Sequence, residues 1–529
     1  MKTTKINRRS FIGGSVGIGA LMAGNAMNIR SETQKRPNVI ILHIDDVAYN
    51  QLGCYGGNVL TPHMDSIARD GMKFNRYYLC CSVCTPSRYS IVTGKYPSRS
   101  PNLQRQQPPG TPANVTWNTN LSPGEENTAT VMRKNGYATG IVGKWHLGVP
   151  RLEQFPSHSD RWPQHPELKA KLERNYDKVR NHILETSGFD YAESIYSGNI
   201  LDVPLPPRLQ HHNQEWITAG ALNFIDKNKD RPFYLYFNST VPHVPDLPDP
   251  LFSLRADPRI TPKGYLDEVP DVQPSRQSVL DRCKEAGMFV ERDDPAFPEE
   301  KEMGTVCMTW LDDGIGAILK RLDDHGLAEN TIVILASDNG VRGKNTLYDA
   351  GLRLPGAIRW PGRVPAGTEV EEFVSNIDWA VTMFDLCGIT PPENMHLDGL
   401  SIAPLFINPE TQLRDSVYME QGYGRGVATK KWKYIAIRYS PKLLEQITPE
   451  NRKEFHLNGS RNTIDARYWA DRDYPGYFDY DQLYDLETDP GEQKNLAGNP
   501  RYSQVLNEMK DRLRNYCEKL PHSFGEFTE

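Results

Sequence analysis

Four apolar runs in this chain each end in residues able to do chemistry. "RPNVIILHIDD" stops at Asp45 and Asp46, and "NGYATGIVGKWHLG" passes through Ile141 and Val142 to Lys144 and His146. "DRPFYLYFNSTVPHVP" runs from Phe233 to Phe237 and ends near His243, and "ENTIVILASDNG" runs from Ile332 to Ala336 and ends at Asp338 and Asn339. Three carboxylates and an amide make an all-oxygen set, suited to Ca2+ or Mg2+ and poor for zinc, which favours His and Cys. Each residue also has a plainer reading. Asp and Asn often start turns after strands, Lys144 and His146 suit an ordinary loop, and a lone His243 suits a structural histidine. Their shared place, just past a strand, argues for one site.

The stretch "YYLCCSVCTPSRYSIVTG" poses a separate question. Cys81 and Cys84 form a C-x-x-C, which fits a redox pair or half of a zinc site. Nothing elsewhere completes either: there is no second C-x-x-C, and Cys54, Cys283, Cys307, Cys387 and Cys517 show no metal-ligand spacing. The residues after Cys84 are more informative. Pro86 can open a helix, "SRYSIVT" can propagate it for about two turns, and Gly94 can end it. Cys84 is then expected at a helix N-terminus, where free N–H groups favour an anion and acidify a thiol, with Arg88 one turn along as a fixed cation.

The apolar runs read as buried parallel strands. Helical patterns separate them, among them "TPHMDSIARDGMKF", "NTATVMRKNGY", "EWITAGALNFIDKNK" and "WLDDGIGAILKRLDDHGL". This alternation predicts an α/β fold, a parallel or mixed sheet with helices on both faces. Ligands of such sheets bind beyond the carboxyl ends of the strands, where all of the polar residues named above fall.

Length and composition set the bounds. At 529 residues the chain is long for one compact core, so one large domain with a smaller appendage, or two domains, is expected. A hydrophobic share of 38% and a charged share of 24% are ordinary for a globular protein, and 40 prolines with 41 glycines imply many loops. The net charge of -6 offers no general attraction for nucleic acid, so an anionic substrate must be held by locally placed cations. Eight cysteines do not make a dense disulfide framework. The N-terminus "MKTTKINRRSFIGGSVGIGALMAGNAMN" places Arg8 and Arg9 before a weakly apolar, glycine-rich run. It resembles a twin-arginine export signal with cleavage near Ala26, the other reading being an uncleaved anchor.

The run Cys84-Thr85-Pro86-Ser87-Arg88, followed by Thr93-Gly94, is similar to the sulfatase signature C-x-P-x-R-x4-T-G, whose cysteine is converted to formylglycine. The order of neighbouring motifs is similar too: "DDVAYNQLGCYGG", "GKWHLG", "PHVP", "SDNG", "GKNTLYDAGLRLPGAIRWPG", "DGLSIAPLF" and "QLYDLETDPGEQKNLA". The resemblance implies an alkaline-phosphatase-like fold: a large mixed, mostly parallel sheet between helices, then a smaller C-terminal subdomain with an antiparallel sheet. The expected division is a signal peptide over residues 1–26, a catalytic domain over 27–410 and a C-terminal subdomain over 411–529. "VYMEQ", "RGVATKKWKYIAI" and "QLYDLE" read as short strands of the latter.

By the same resemblance Asp45, Asp46, Asp338, Asn339 and the modified Cys84 hold one Ca2+ or Mg2+. Lys144 and Lys344 bind sulfate oxygens, His243 protonates the leaving oxygen, and Arg88 holds the modified residue in place. Asp338 is a further candidate to accept the nucleophile's proton. The hydrated aldehyde offers two hydroxyls: one attacks sulfur, and deprotonation of the other, by His146, expels sulfate. Ala350 departs from the family pattern, which often has a second glycine there, and this bears on the shape of the loop around Tyr348, Asp349 and Arg353.

The implied function is removal of O-sulfate from a sulfated carbohydrate in an exported, periplasmic enzyme. The implied partners are a formylglycine-generating or anaerobic sulfatase-maturing enzyme and the twin-arginine export machinery. A phosphonate or phosphate ester hydrolase of the same superfamily and an inactive sulfated-glycan-binding protein are the alternatives. Expected sugar subsites are residues 151–180, 246–300 and the tyrosine-rich stretch before residue 481, with Arg161, Trp162, His211, His212, Arg461, Arg467 and Trp469 as candidate contacts.

Overall fold

A computed structural model describes residues 36–155, 166–243, 251–290, 299–300, 305–452 and 470–528. The proposed signal over residues 1–26 and the candidate contacts Arg161, Trp162, Arg461, Arg467 and Trp469 lie outside the described residues.

The four apolar runs become four adjacent strands: Thr331–Ser337, Asn38–Ile44, Phe233–Asn238 and Ala138–Lys144, in that order across the sheet. All four are parallel and buried along their whole length, which is why each reads as a continuous apolar run instead of an alternating one. Tyr191–Tyr196 extends the sheet in parallel on one side. On the other, Ala357–Arg359, Met72–Phe74 and Thr368–Val370 complete eight strands, of which only Ala357–Arg359 runs against its neighbour in the parallel core.

Register aligns the strand ends. Ile44 pairs with Ser337, His43 with Asn238, and Asn238 with Gly143, so the residues just beyond emerge on one edge. Helices cover both faces. Phe224 of the Gln214–Asn228 helix meets Phe233 edge-on at 5.7 Å, whereas Thr128, opening the Thr128–Lys134 helix, bonds the hydroxyl of the next residue, Tyr234. Successive strand residues point to opposite faces, so the two helices sit on opposite sides of the sheet.

The C-terminal antiparallel sheet is also present as expected, with strands Val417–Gln421, Gly424–Ala428, Trp432–Ile437 and Asp481–Asp485 in chain order. The Ser503–Cys517 helix buries Met509, Leu513 and Cys517, spaced four apart, in a cluster with Val427, Tyr434 and Leu483. Residues Arg36–Glu529 form one compact unit. Among the described residues no helix is long and apolar enough to cross a membrane.

One irregularity shapes the site edge. Between Ala138–Lys144 and Tyr191–Tyr196 the register shifts after Val142, leaving Ser194 (φ 54°) as the extra residue of a bulge. Gly143 sits at φ 83°, and a Cβ there would lie 1.7 Å from the Asn238 carbonyl oxygen. The chain thus turns sharply one residue before Lys144. Replacing Gly143 by Ala should therefore destabilise the fold by about 2 kcal/mol or more through strain and overlap. A urea midpoint unchanged from the parent's would show that the turn does not need glycine.

Candidate active site

The Cys84–Thr93 helix points its N-terminus at the carboxyl edge of the sheet. It starts at Cys84 itself, with Val83 as the N-cap, and Pro86 is the third helical residue instead of the first. Proline is tolerated there because first-turn N–H groups have no intrahelical acceptor. Gly94 ends the helix in the left-handed conformation at φ 69°. Every residue from Cys84 to Thr93 is buried, so the helix shows no amphipathic stripe.

Arg88, wholly buried, joins the strand ends. Its Nε and Nη2 donate to Asp338 Oδ2 at 3.1 and 3.0 Å, and Nη1 donates to Asn238 Oδ1 at 2.7 Å and to the Lys144 carbonyl at 3.2 Å. Nη2 also lies 3.7 Å from Asp45 Oδ1. Around it, Lys144 Nζ donates to Asp45 Oδ2 at 2.6 Å, and Lys344 Nζ to Asp46 Oδ1 at 2.6 Å. Asn339 Nδ2 bonds Asp46 Oδ1, the Asp46 N–H donates to Asp338 Oδ1 at 3.0 Å, and His243 Nε2 lies 3.4 Å from Asp46 Oδ2. Cys84 Sγ is 3.1 Å from Asn339 Oδ1 and 3.7 Å from Asp45 Oδ1.

Nine of the ten predicted site residues thus meet in one network: Asp45, Asp46, Cys84, Arg88, Lys144, His243, Asp338, Asn339 and Lys344. The tenth, His146, lies two residues beyond Lys144 at φ 52°, with its N–H donating to the Ser197 carbonyl at 3.2 Å. Its ring lies beside Gly198, and its buried Nδ1 has no partner among the described residues.

The donor chemistry fits a divalent cation. Ligand atoms of Asp45, Asp46, Cys84 and His243 lie within 4.8 Å of one another, all buried. Asn339 Oδ1 faces the same sulfur, so hard oxygen donors dominate, as Ca2+ and Mg2+ require. Asp338 is more committed to Arg88 and to the Asp46 N–H than the sequence suggested.

Electrostatics separates the carboxylates. Burial alone would raise Asp45, but Lys144, then His243 and Arg88, outweigh it and hold the carboxyl well below the usual range. Asp46 is lowered likewise: Lys344 and His243 overcome its burial. Burial and the neighbouring Asp45 push Asp338 up to about 7 against the pull of Arg88. Burial brings His243 down to about 4, although Asp46 opposes this, and burial with Lys144 and Arg88 holds His146 well below its ordinary value. Both rings are neutral near pH 7. The expectation of an acidified Cys84 thiol fails. Burial raises it strongly, and this outweighs Lys144 and Lys344. The native thiol is a poor nucleophile.

The loop carrying Lys344 answers the question posed by Ala350. Gly343 and Gly351 press backbone to backbone, each leaving no room for a Cβ on the other, whereas Ala350 lies half-buried in the short Asp349–Leu352 helix. The close approach therefore needs Gly351 and tolerates Ala350. Asp349 is structural: it pairs with Lys433 Nζ at 2.6 Å and accepts from the Tyr78 hydroxyl at 2.8 Å. Arg353 lies over the Tyr49 ring at 4.9 Å.

A family model described as Sulfatase matches residues 37–389, two thirds of the chain, and one described as N-sulphoglucosamine sulphohydrolase, C-terminal, matches 338–448. The chain belongs to the sulfatase family. It is 27% identical to human Arylsulfatase A over 93% of this chain and 89% of the relative. It is 24% identical to an N-acetylgalactosamine-6-O-sulfatase of Bacteroides thetaiotaomicron over 93% and 96%. A solved structure in complex with its substrate D-glucosamine-2-N,6-O-disulfate superposes with a TM-score of 0.58 at 20% identity, covering 92% of this chain and 98% of that one. The sheet and C-terminal subdomain of this sulfatase accordingly follow the alkaline-phosphatase-like plan.

Of two further polar residues at the site edge, one escaped the sequence reading and the other was given a different role. Asn238, the last residue of its strand, takes a hydrogen bond from Arg88; a polar residue closing the apolar run from Phe233 to Phe237 was the signal for it. His212, expected only as a sugar contact, is fully buried, with Nε2 3.1 Å from the His243 carbonyl oxygen. Burial, then His243, lowers it to about 3. An unfolded histidine takes up a proton near pH 6.5, whereas the folded His212 does so only near pH 3. Stability fully present above about pH 6.5 is therefore lost as pH falls through that window, by about 3 kcal/mol at pH 4 from this group. His212→Gln should lose correspondingly less between pH 7 and pH 4 in urea unfolding. An identical loss in both proteins would refute the assignment.

Proposed function

We propose that this sulfatase removes O-sulfate from a sulfated carbohydrate, acting in the periplasm with formylglycine made from Cys84 and one bound Ca2+ or Mg2+. The observation that carries the reading is the convergence of Asp45, Asp46, Cys84 and His243 within 4.8 Å, with the Lys144 and Lys344 ammonium groups at 2.6 Å from the two carboxylates. A sulfate monoester bears its charge on non-bridging oxygens, and those buried lysines supply local cations in a chain whose net charge is -6. The carbohydrate class is supported by the sugar-named relatives, and export by Arg8 and Arg9 ahead of the weakly apolar run.

Once converted and loaded, the site gains a hydrated-aldehyde hydroxyl as nucleophile and a cation that draws charge from the sulfate oxygens. The chain's own residues do the rest. Arg88 fixes Asp338 and the edge of the sheet, so the nucleophile's surroundings do not reorganise during the reaction. Asp338 is held by Arg88 through Oδ2 and by the Asp46 N–H through Oδ1, which fixes both of its oxygens at the strand edge. His243 Nε2 lies 3.2 Å from the Lys344 ammonium and 3.4 Å from Asp46 Oδ2. The leaving oxygen takes its proton from this pair: the Lys344 ammonium gives one proton through His243 Nε2 and is left as a neutral amine. His146, whose buried Nδ1 has no partner among the described residues, is the candidate acceptor for the proton that leaves the second hydroxyl.

In protein matured in its native host, Cys84→Ala should lower release of sulfate from 4-nitrophenyl sulfate and sulfated saccharides at least roughly a thousandfold. Mass spectrometry of the parent should show the mass change that replaces a thiol by an aldehyde at residue 84. Unchanged turnover in the variant sinks the nucleophile assignment, and faster cleavage of the matching phosphate esters sinks the sulfate reading. Removing divalent cations with a chelator should abolish activity, and Ca2+ or Mg2+ should restore it. Full activity in the chelated protein contradicts the cation's role.

A further inference from the structure

The segment leading to Cys84 and the loop carrying Lys344 are remote in sequence, yet hydrogen bonds stitch them together. The Asn345 N–H donates to the Ser82 carbonyl at 3.2 Å, and the Ser82 hydroxyl donates to the Thr346 carbonyl. A third tie runs through a side chain from the C-terminal sheet. Gln421, the last residue of Val417–Gln421 and wholly buried, accepts from Cys81 Sγ at 2.9 Å through Oε1 and donates to Asn345 Oδ1 at 2.7 Å through Nε2.

Both ends of this bridge sit beside the chemistry. Cys81 lies three residues before Cys84 and is fully buried; Asn345 comes directly after Lys344 and holds a left-handed backbone at φ 66°. A primary amide has a fixed distance between its oxygen and nitrogen, so filling both ends fixes the gap between the two segments. We propose that Gln421 is a positioning residue, whose amide spans Cys81 and Asn345 and thereby sets the separation between residue 84 and the Lys344 ammonium. Cys81 then serves as a thiol donor to the bridge, not as a redox partner of Cys84. The inference rests on the reading of Lys344 as a sulfate-binding group.

The experiment compares Gln421→Leu, Cys81→Ala, Cys81→Ser and Lys344→Ala in the full chain. Each is measured for kcat and KM on 4-nitrophenyl sulfate, for the thermal unfolding midpoint, and, in a Cys84→Ala background that cannot turn over, for binding of inorganic sulfate by calorimetry. Gln421→Leu should weaken sulfate binding roughly tenfold and lower kcat/KM roughly ten- to a hundredfold, as expected for misplacement of about 1 Å. Cys81→Ala should give part of that loss, Cys81→Ser should restore it because a hydroxyl still donates, and the double variant Gln421→Leu/Cys81→Ala should be no worse than Gln421→Leu alone.

A Gln421→Leu protein whose midpoint falls while sulfate affinity and kcat/KM stay at parental values shows an ordinary buried amide and overturns the proposal. Additive losses in the double variant overturn it as well. If Gln421→Leu does not fold, the Cys81 pair decides: equal sulfate affinity in Cys81→Ala, Cys81→Ser and the parent overturns the bridge. Sulfate affinity unchanged by Lys344→Ala removes the role of Lys344 and the proposal with it. Loss in Lys344→Ala beside parental affinity in Gln421→Leu overturns the bridge alone.

Discussion

A single guanidinium organises this site. Arg88 is shut off from solvent, and each of the four strand ends offers it a partner: Asp45, Asn238, Asp338 and the carbonyl of Lys144. Burying that charge is unfavourable unless its donors are matched, and a planar fork with fixed donor directions can match only one arrangement of strand ends. The register of the sheet and the position of the Cys84 helix are therefore tied to each other through one side chain. Lysine at that position would keep the charge and lose the geometry.

The second constraint comes from outside the large sheet. Lys433, on the central part of the C-terminal sheet and fully buried, pairs with Asp349 and with Glu492 Oε1 at 2.8 Å, while Glu492 Oε2 accepts the Asp349 N–H at 2.7 Å. Tyr348 stacks on Tyr474 with ring centroids 3.7 Å apart, and its hydroxyl bonds Gln482. The loop that carries Lys344 is thus gripped on one flank by the C-terminal subdomain and on the other by the Ser82 segment. A loop that must present a cation into a crowded, desolvated place gains order from neighbours on both sides.

Much of this was legible in the sequence because parallel strands buried on both faces write themselves as apolar blocks, and the polar residue that ends a block marks the sheet edge. The four strands and the short C-terminal strands come out of that grammar, and the Cys84–Thr93 helix was marked by Pro86 and the Gly94 that ends it. Met72–Phe74, Ala357–Arg359 and Thr368–Val370 are three residues each, too short to carry any periodicity, so the antiparallel strand and the sheet order stayed hidden. The direction of the shift at the Cys84 thiol was missed because a helix N-terminus is visible in sequence and the depth of its burial is not. Gln421 escaped notice for another reason. Its partners Cys81 and Asn345 lie 340 and 76 positions away, and no local pattern marks a glutamine at the end of an ordinary strand.

The burial of Cys84 also has a meaning in time. Its sulfur lies against the strand ends at Asp45 and, next to Asp338, at Asn339, so the pocket cannot close until the later of these has been synthesised. Asp338 comes about 250 residues after Cys84, which at about 5–20 residues per second leaves the thiol open for roughly 13 to 50 s on the ribosome. Any reagent that acts on the thiol reaches it within that interval or in a chain that has not yet folded. The same wall that shields the finished site from solvent thus acts as a clock on its assembly, and a variant that folds faster would leave the thiol exposed for a shorter time.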